Sequence, residues 1–327
     1  MKYRQLGASD LRVSAIGLGC LGMAFARGTS DHARGLATLD RALDLGINFF
    51  DTADGYGGGR SEELIGDAFR RRRDKVVIAT KFGNLAGGAS DRKVDGRPEY
   101  VAKACDATLK RLGLDVIDLY YQHRVDPLVP IEDSVGAMKL LVEQGKVRHL
   151  GLSEVSPTTL ARAHATHPIT ALQNEYSLWA REPEDEILSA CRGLGVALVS
   201  YSPLGRGFLT GQIRSEEALP ANDWRRKNPR FSADNISRNI TMLAALESVA
   251  RRLGAVPAQV ALAWVLAQGN DIVPIPGTTR RDNLELNAAS VDLCLTSDDL
   301  AALSQAFPRD LSAGPRHNED AMRFMNG

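Results

Sequence analysis

The sequence predicts a closed (β/α)8 barrel of the TIM class. Eight short β-rich runs alternate with longer amphipathic runs, no linker splits the 327 residues in two, and ionisable side chains fall at the ends of successive strands. The elements follow in order. Residues 3–16 read as a small hairpin around the turn Gly7-Ala8-Ser9-Asp10, placed to plug the bottom of the barrel. The barrel strands are then expected at 13–19, 48–53, 76–81, 117–123, 149–154, 171–177, 196–204 and 272–277. Each is short, apolar and bounded by Gly, Pro or polar residues, as buried parallel strands are.

Helices are expected between them. Ser30 and Asp31 cap the first, which Gly46 ends; Ser61 starts the second; Pro98 opens the third, which stops at Gly113. Residues 131–144 form the fourth, Ser156-Pro157 opens the fifth, Glu182-Pro183 the sixth, and residues 239–253 form the seventh. Residues 205–238 are rich in Gly, Pro and charge and read as an excursion loop, and Pro257 opens an extra helix before the last strand. The expected organisation is one domain, 1–327, with an N-terminal hairpin (1–16), extra C-terminal helices and a loose tail (307–327) near the active face.

Composition narrows the function. Lys+Arg and Asp+Glu are both 40, so the net charge is zero and the basic stripe of a nucleic-acid binder is missing. The run Arg70 to Arg73 closes a predicted helix, where cations suit the negative end of the dipole. No apolar run approaches the ~18 residues a membrane span needs, and Met1 to Gly7 carries no signal-peptide core. The four cysteines are far apart with no CxxC pair, so no metal site is expected, and reduced thiols in a cytoplasmic protein are.

Gly17-Leu18-Gly19-Cys20-Leu21-Gly22 matches GxGxxG after a strand, the fingerprint of a dinucleotide-binding turn. That site needs a helix to start at the glycines. Here helix signals wait until Ser30-Asp31, so the run reads as a strand end and tight turn lining a pocket.

Four groups carry the chemistry. Asp51 ends the second strand, Tyr56 follows in Gly55-Tyr56-Gly57-Gly58-Gly59, Lys81 closes the third strand and His123 the fourth. In a parallel barrel these ends share one face, the one where barrel enzymes place their sites. Singly, each has a bland reading as a cap, a paired surface group or a structural histidine; together on successive strand ends they point to a site. A phenol of pKa about 10 is a weak acid at neutral pH. An ammonium at ~4 Å in an effective dielectric of ~20 favours the phenolate by roughly 4 kcal/mol, about three pKa units before desolvation opposes it. Asp51 would hold Lys81 charged and His123 would orient a carbonyl oxygen; the hydride would have to come from a cofactor.

At these residues the sequence resembles the aldo-keto reductase superfamily. The resemblance rests on Gly46-Ile47-Asn48-Phe49-Phe50-Asp51-Thr52-Ala53-Asp54-Gly55-Tyr56-Gly57, on Lys81-Phe82-Gly83, on Asp118-Leu119-Tyr120-Tyr121-Gln122-His123 and on Gly145-Lys146-Val147-Arg148 with Gly151-Leu152-Ser153. Tyr201-Ser202-Pro203-Leu204-Gly205-Arg206-Gly207 and Ile275-Pro276-Gly277-Thr278-Thr279-Arg280 complete it. The version Gln122-His123-Arg124-Val125-Asp126-Pro127 is most similar to the microbial and plant branch of perakine and pyridoxal reductases.

The resemblance implies NADPH-dependent reduction of a small carbonyl substrate, with Tyr56 as general acid supported by Lys81 and Asp51, and His123 orienting the carbonyl. It implies Ser153, Glu154 and Gln173 on the nicotinamide carboxamide and Tyr201 stacked on the ring. Ser202, Leu204, Arg206 and Gly207 would follow the pyrophosphate. Thr278, Thr279 and Arg280 would meet the adenosine 2′-phosphate, with Gly277 also on the cofactor and Asn283 and Asn287 near the adenine. A threonine-arginine cluster opening a helix is in any case a natural phosphate seat. Met23, Phe25, Phe82, Arg124 and Trp224 are the expected substrate pocket. The sequence departs from the family at Glu154, where Asn is common, and at Leu286, where Glu is frequent. The same residues would serve alcohol oxidation. A nucleotide sensor without turnover is a different class, and the intact tetrad argues against it.

Overall fold

The computed structural model describes residues 1–25, 29–85, 93–309 and 312–325. Strands β1 (Tyr3–Gln5) and β2 (Arg12–Ser14) form an antiparallel hairpin. Eight parallel strands follow: β3 (Leu18–Gly19), β4 (Phe49–Asp51), β5 (Val77–Phe82), β6 (Ile117–Gln122), β7 (Val147–Ser153), β8 (Ile169–Glu175), β9 (Ala197–Tyr201) and β10 (Ile272–Pro274). Their order in the sheet is their order in the chain. A bridge between Gly19 and Gly277, with the Gly17 N–H donating to the Pro274 carbonyl at 2.9 Å, joins the last strand to the first. The sheet is a closed barrel, as the alternation predicts.

Closure explains the glycines of the GxGxxG run. A Cβ on Gly17 would lie 2.7 Å from the Phe49 ring, and one on Gly19 would lie 2.8 Å from the Ile275 carbonyl oxygen. The glycines let two strands meet, and no helix starts there: a 3-10 turn follows at Leu21–Phe25. The first barrel strand is shorter than expected because Val13 and Ser14 are already paired with Arg4 and Tyr3 in the hairpin.

The helices are α1 (Thr29–Asp44), α2 (Arg60–Phe69), α3 (Pro98–Leu112), α4 (Ile131–Glu143), α5 (Pro157–Thr166) and α6 (Ile187–Leu194). They continue with α7 (Ala233–Asn239), α8 (Leu243–Arg252), α9 (Pro257–Ala267), α10 (Arg281–Ala289), α11 (Ser297–Ala306) and α12 (Glu319–Met322). Ser156 caps α5 by accepting from the Thr159 N–H at 3.2 Å. Ser61 does not cap α2, whose cap is Gly59; its hydroxyl donates instead to the Cys20 carbonyl at 3.1 Å. Glu182-Pro183 opens a 3-10 turn, and α6 begins only at Ile187. Within 205–238, 3-10 turns are followed by α7.

The pleat sorts the side chains. Along a strand, alternate residues face the barrel interior. Phe49, Val77, Ala79, Leu119, Tyr121, Ala171, Ala197, Val199, Val273 and Ile275 form the inner core, and hairpin residues Leu6, Leu11 and Val13 close it from below. A larger cluster fills the layer between strands and helices. Continuing the inner parity upward reaches Asp51, Lys81, His123, Ser153, Gln173 and Tyr201. Phe82, one residue beyond Lys81, belongs to the other face. It is fully buried there, with its ring 5.0 Å from that of Tyr120.

The tail is not loose where it is described. The Ala313 N–H donates to Asn239 Oδ1 at 2.8 Å, Arg230 Nε donates to the Gly314 carbonyl, and Asn228 Nδ2 donates to the Arg316 carbonyl at 2.9 Å. Side chains that looked like polar loop residues thus satisfy the tail's backbone.

Candidate active site

Tyr56 is delivered by a turn that only glycine can build cheaply. Gly57, Gly58 and Gly59 all have positive φ, and a Cβ on Gly57 would lie 2.5 Å from the Ala24 carbonyl oxygen. The base of the turn is fixed by the Tyr56 N–H donating to the Ala53 carbonyl, and by the Thr52 hydroxyl donating to Ser61 Oγ at 2.8 Å.

Beneath it, Lys81 is fully buried and ion-paired with Asp51, and its ammonium also donates to the Thr52 carbonyl at 2.8 Å. Gln173 Nε2 donates to the other Asp51 oxygen at 2.8 Å. The Lys81 ammonium lies 5.2 Å from the Tyr56 ring centroid. The rings of Tyr56 and His123 meet edge-on, with centroids 5.9 Å apart. The structure therefore brings all four predicted groups together.

Burial works against the Lys81 charge, but Asp51 and Tyr56 outweigh it and hold its pKa above the ordinary value. Burial raises the Tyr56 phenol, and the opposing pull of Lys81 and Arg124 does not cancel it. The expected lowering of this phenol is thus reversed: desolvation exceeds the ammonium's attraction. His123 is held well below its usual pKa by burial first, then by Arg124 and Lys81. It is a neutral imidazole, and its Nδ1 has no partner among the described residues.

A cavity of about 1020 Å³ opens above this cluster. Asp51, Tyr56, His123 and Arg124 line one part; Ser153, Gln173 and Tyr201 come next. Ser202, Leu204, Arg206 and Gly207 line it as well, as do Gly277, Thr278, Thr279, Arg280, Asn283, Leu286 and Asn287. Trp224 lines it too, its ring within cation-π reach of Arg206. The non-glycine residues with positive φ, among those described, are Glu154, Ser202 and Arg206, all in loops leaving strand ends at this face.

Other expected residues lie elsewhere. Met23 and Phe82 are buried in the outer core and do not line the cavity. The Phe25 side chain lies outside the described residues. Glu154 is fully buried away from the lining. Its oxygens accept from Arg316 at 2.8 and 2.7 Å, and one of them also accepts from the Glu175 N–H. A buried carboxylate must be paired, and Arg316 supplies the charge.

Sequence reasoning missed this network. Arg206 donates to Glu175 at 2.6 Å and also to the Arg316 carbonyl, while His317 sits 3.3 Å from Glu175 and lines the cavity. The one available signal was Glu175, an acidic residue two positions beyond Gln173 on the same strand face. Asn84, also in the lining, gave none. A second cavity, about 1070 Å³, opens at the hairpin end beside Arg4, Arg192 and Asp271, and holds none of the strand-end groups. Among the described residues no cluster suited to a metal is present, and no single helix is long and apolar enough to cross a membrane.

The family model described as "Aldo/keto reductase family" matches residues 15–307. A curated relative, "Probable aldo-keto reductase 1" of Glycine max, is 48% identical over 315 residues, covering 96% of this chain and 91% of that protein. Among solved structures, the chain resembles a glycerol dehydrogenase from Gluconobacter oxydans, with TM-score 0.87 and 28% identity, over 96% of this chain and 97% of that one. It also resembles a thermostable aldo-keto reductase in complex with the inhibitor epalrestat, with TM-score 0.77 and 30% identity, over 94% and 100% of the two chains.

Proposed function

The chain belongs to the aldo/keto reductase family, and we propose that it reduces an aldehyde or ketone to the alcohol at the expense of NADPH, with Tyr56 as the proton donor. The observation that carries this reading is the buried Lys81–Asp51–Gln173 cluster beneath Tyr56 and neutral His123, at one part of a cavity that extends to the start of α10.

The cavity fits a nicotinamide dinucleotide. At one part it offers polar groups for a carboxamide, from Ser153 and Gln173, beside the flat ring of Tyr201. At the other, Thr278, Thr279 and the first turn of α10 offer phosphate donors. The Arg280 side chain is 72% exposed and only loosely paired with Asp282 at 3.8 Å, so its guanidinium is free to meet a 2′-phosphate. Bound there, the dinucleotide supplies hydride to the carbonyl carbon.

The protein manages the oxygen. Tyr56 stays protonated at neutral pH and transfers its proton as negative charge grows on the carbonyl oxygen. The Lys81 ammonium stabilises the phenolate left behind, and Asp51 keeps Lys81 charged and aimed. Neutral His123 can donate one hydrogen bond to the oxygen without competing as an acid. Gln173, through Asp51, ties the proton-donating cluster to the strand that would carry the carboxamide contact.

Arg280→Ala tests the cofactor assignment. The ratio of kcat/KM for NADPH over NADH with a reactive aromatic aldehyde is expected to fall about 10–100-fold, the worth of a charge-assisted hydrogen bond. An unchanged ratio would remove the 2′-phosphate assignment. Failure of the wild-type protein to oxidise either nucleotide would remove the reductase reading.

A further inference from the structure

Arg124 follows His123 directly at the end of β6 and lines the cavity. Its Nη1 donates to two neutral oxygens, the His123 carbonyl at 2.6 Å and Ser153 Oγ at 3.0 Å. No carboxylate pairs with it among the described residues. Of the other arginines of the lining, Arg206 is held by Glu175 and Arg225 by Asp223, while Arg280 lies in solvent at the far α10 start, 3.8 Å from Asp282. Among the described residues the lining's one carboxylate is Asp51, already bound by Lys81 and Gln173. Arg124 is thus a fixed cation beside the proton donor, with no hydrogen-bond partner for Nε or Nη2 among the described residues. Leu21 and Trp224, both large, apolar and exposed, line the same cavity.

We infer that Arg124 is a specificity-determining residue that selects carbonyl substrates bearing a carboxylate. The inference rests on the reductase reading above. Two parallel N–H groups of a guanidinium match a carboxylate bidentately. An apolar body between carboxylate and carbonyl would lie against Leu21 or Trp224. The carboxylate is unchanged in the reaction: hydride reaches the carbonyl carbon, the Tyr56 proton reaches its oxygen, and the alcohol acid leaves. Interfaces of this kind discriminate through the charge left unpaired when the matching group is absent.

The test compares 4-carboxybenzaldehyde with its neutral methyl ester, in wild type and Arg124→Gln. Wild type is expected to prefer the acid by about tenfold or more in kcat/KM. In Arg124→Gln that preference should disappear, chiefly through a higher KM for the acid. Arg124→Lys should restore part of it, because a point charge lacks the planar fork. Calorimetric titration of benzoate into the protein with NADP+ gives a readout independent of turnover, and binding should be lost in Arg124→Gln. An acid-to-ester ratio unaltered by the substitution, or benzoate binding equally to both proteins, overturns the inference. So does an equal loss on acid and ester with weaker NADPH binding, which would place Arg124 in cofactor binding through Ser153. Should the wild type turn over neither aldehyde, the reductase reading fails, and the benzoate titration still decides on Arg124.

Discussion

Replacing Arg316 with Met should cost more stability than any surface change in this chain. Arg316 and Glu154 have 7% and 0% of their side-chain surface exposed. Removing the arginine leaves a buried carboxylate with the Glu175 N–H as its remaining donor. Breaking one side of a buried pair costs about 3–5 kcal/mol. With about 2.1 cal/mol/K of unfolding entropy per residue, 327 residues give about 0.7 kcal/mol/K, so the midpoint should fall by about 4–7 °C. The pH dependence has a definite sign. Without Arg316, burial, the largest influence on Glu154, is opposed only by the Arg124 charge and the Glu175 N–H, and the folded pKa should rise above the unfolded one. Stability from such a group is present at low pH and lost as pH rises, so the deficit should be smaller at pH 5 than at pH 8. The double variant Glu154→Gln with Arg316→Met removes both members of the pair, leaves no uncompensated carboxylate at position 154 and should recover at least half the loss. Calorimetry on the three proteins measures this. A single variant within 1 °C of wild type, or a double variant less stable than the single one, would mean that Arg316 does not neutralise a buried Glu154 charge.

Burial raises Glu175, yet Arg206, His317 and Arg316 bring its pKa down to about 2. A depressed acid stabilises above its unfolded pKa of about 4.3 and loses that stability as pH falls. Glu175→Gln should therefore melt below wild type at pH 7, with the gap closing between pH 4.5 and 2 in an acid-melting series. Gly151→Ala should overpack the barrel interior, because its Cβ would lie 2.3 Å from the Tyr121 ring. The expected cost is about 1–3 kcal/mol, read as a lower melting midpoint; an unchanged midpoint would mean that the Tyr121 ring moves freely.

Much of this architecture was legible in the sequence, because it rests on local periodicity. Short apolar runs ending in Asp51, Lys81 and His123 set both the strands and the face on which those groups emerge. Gly57 to Gly59 announced a turn with positive φ. The failures have physical causes too. Phe82 was expected in the pocket, but it lies one residue beyond Lys81, and a one-residue step along a strand reverses the face. Val13 and Ser14 had the composition of a barrel strand but were claimed by the hairpin. Glu154 followed Ser153 in the family pattern, but its partner, Arg316, is 162 residues away. Nothing local reports such a pairing, and the tail that carries Arg316 is rich in the Gly, Pro and charge that elsewhere mark a loose end.

The most direct test of the central claim is a single turnover. Wild type and Tyr56→Phe are each loaded with NADPH, mixed with excess 4-nitrobenzaldehyde and followed by nucleotide absorbance, with NADPH affinity measured alongside by fluorescence. The phenyl ring keeps the edge-on contact with His123 and removes only the hydroxyl group. Equal NADPH affinity is expected, with a hydride-transfer rate lowered about 10²–10⁴-fold, the usual worth of a positioned general acid. Equal rates in the two proteins would contradict it, and would mean that Tyr56 is not the proton donor.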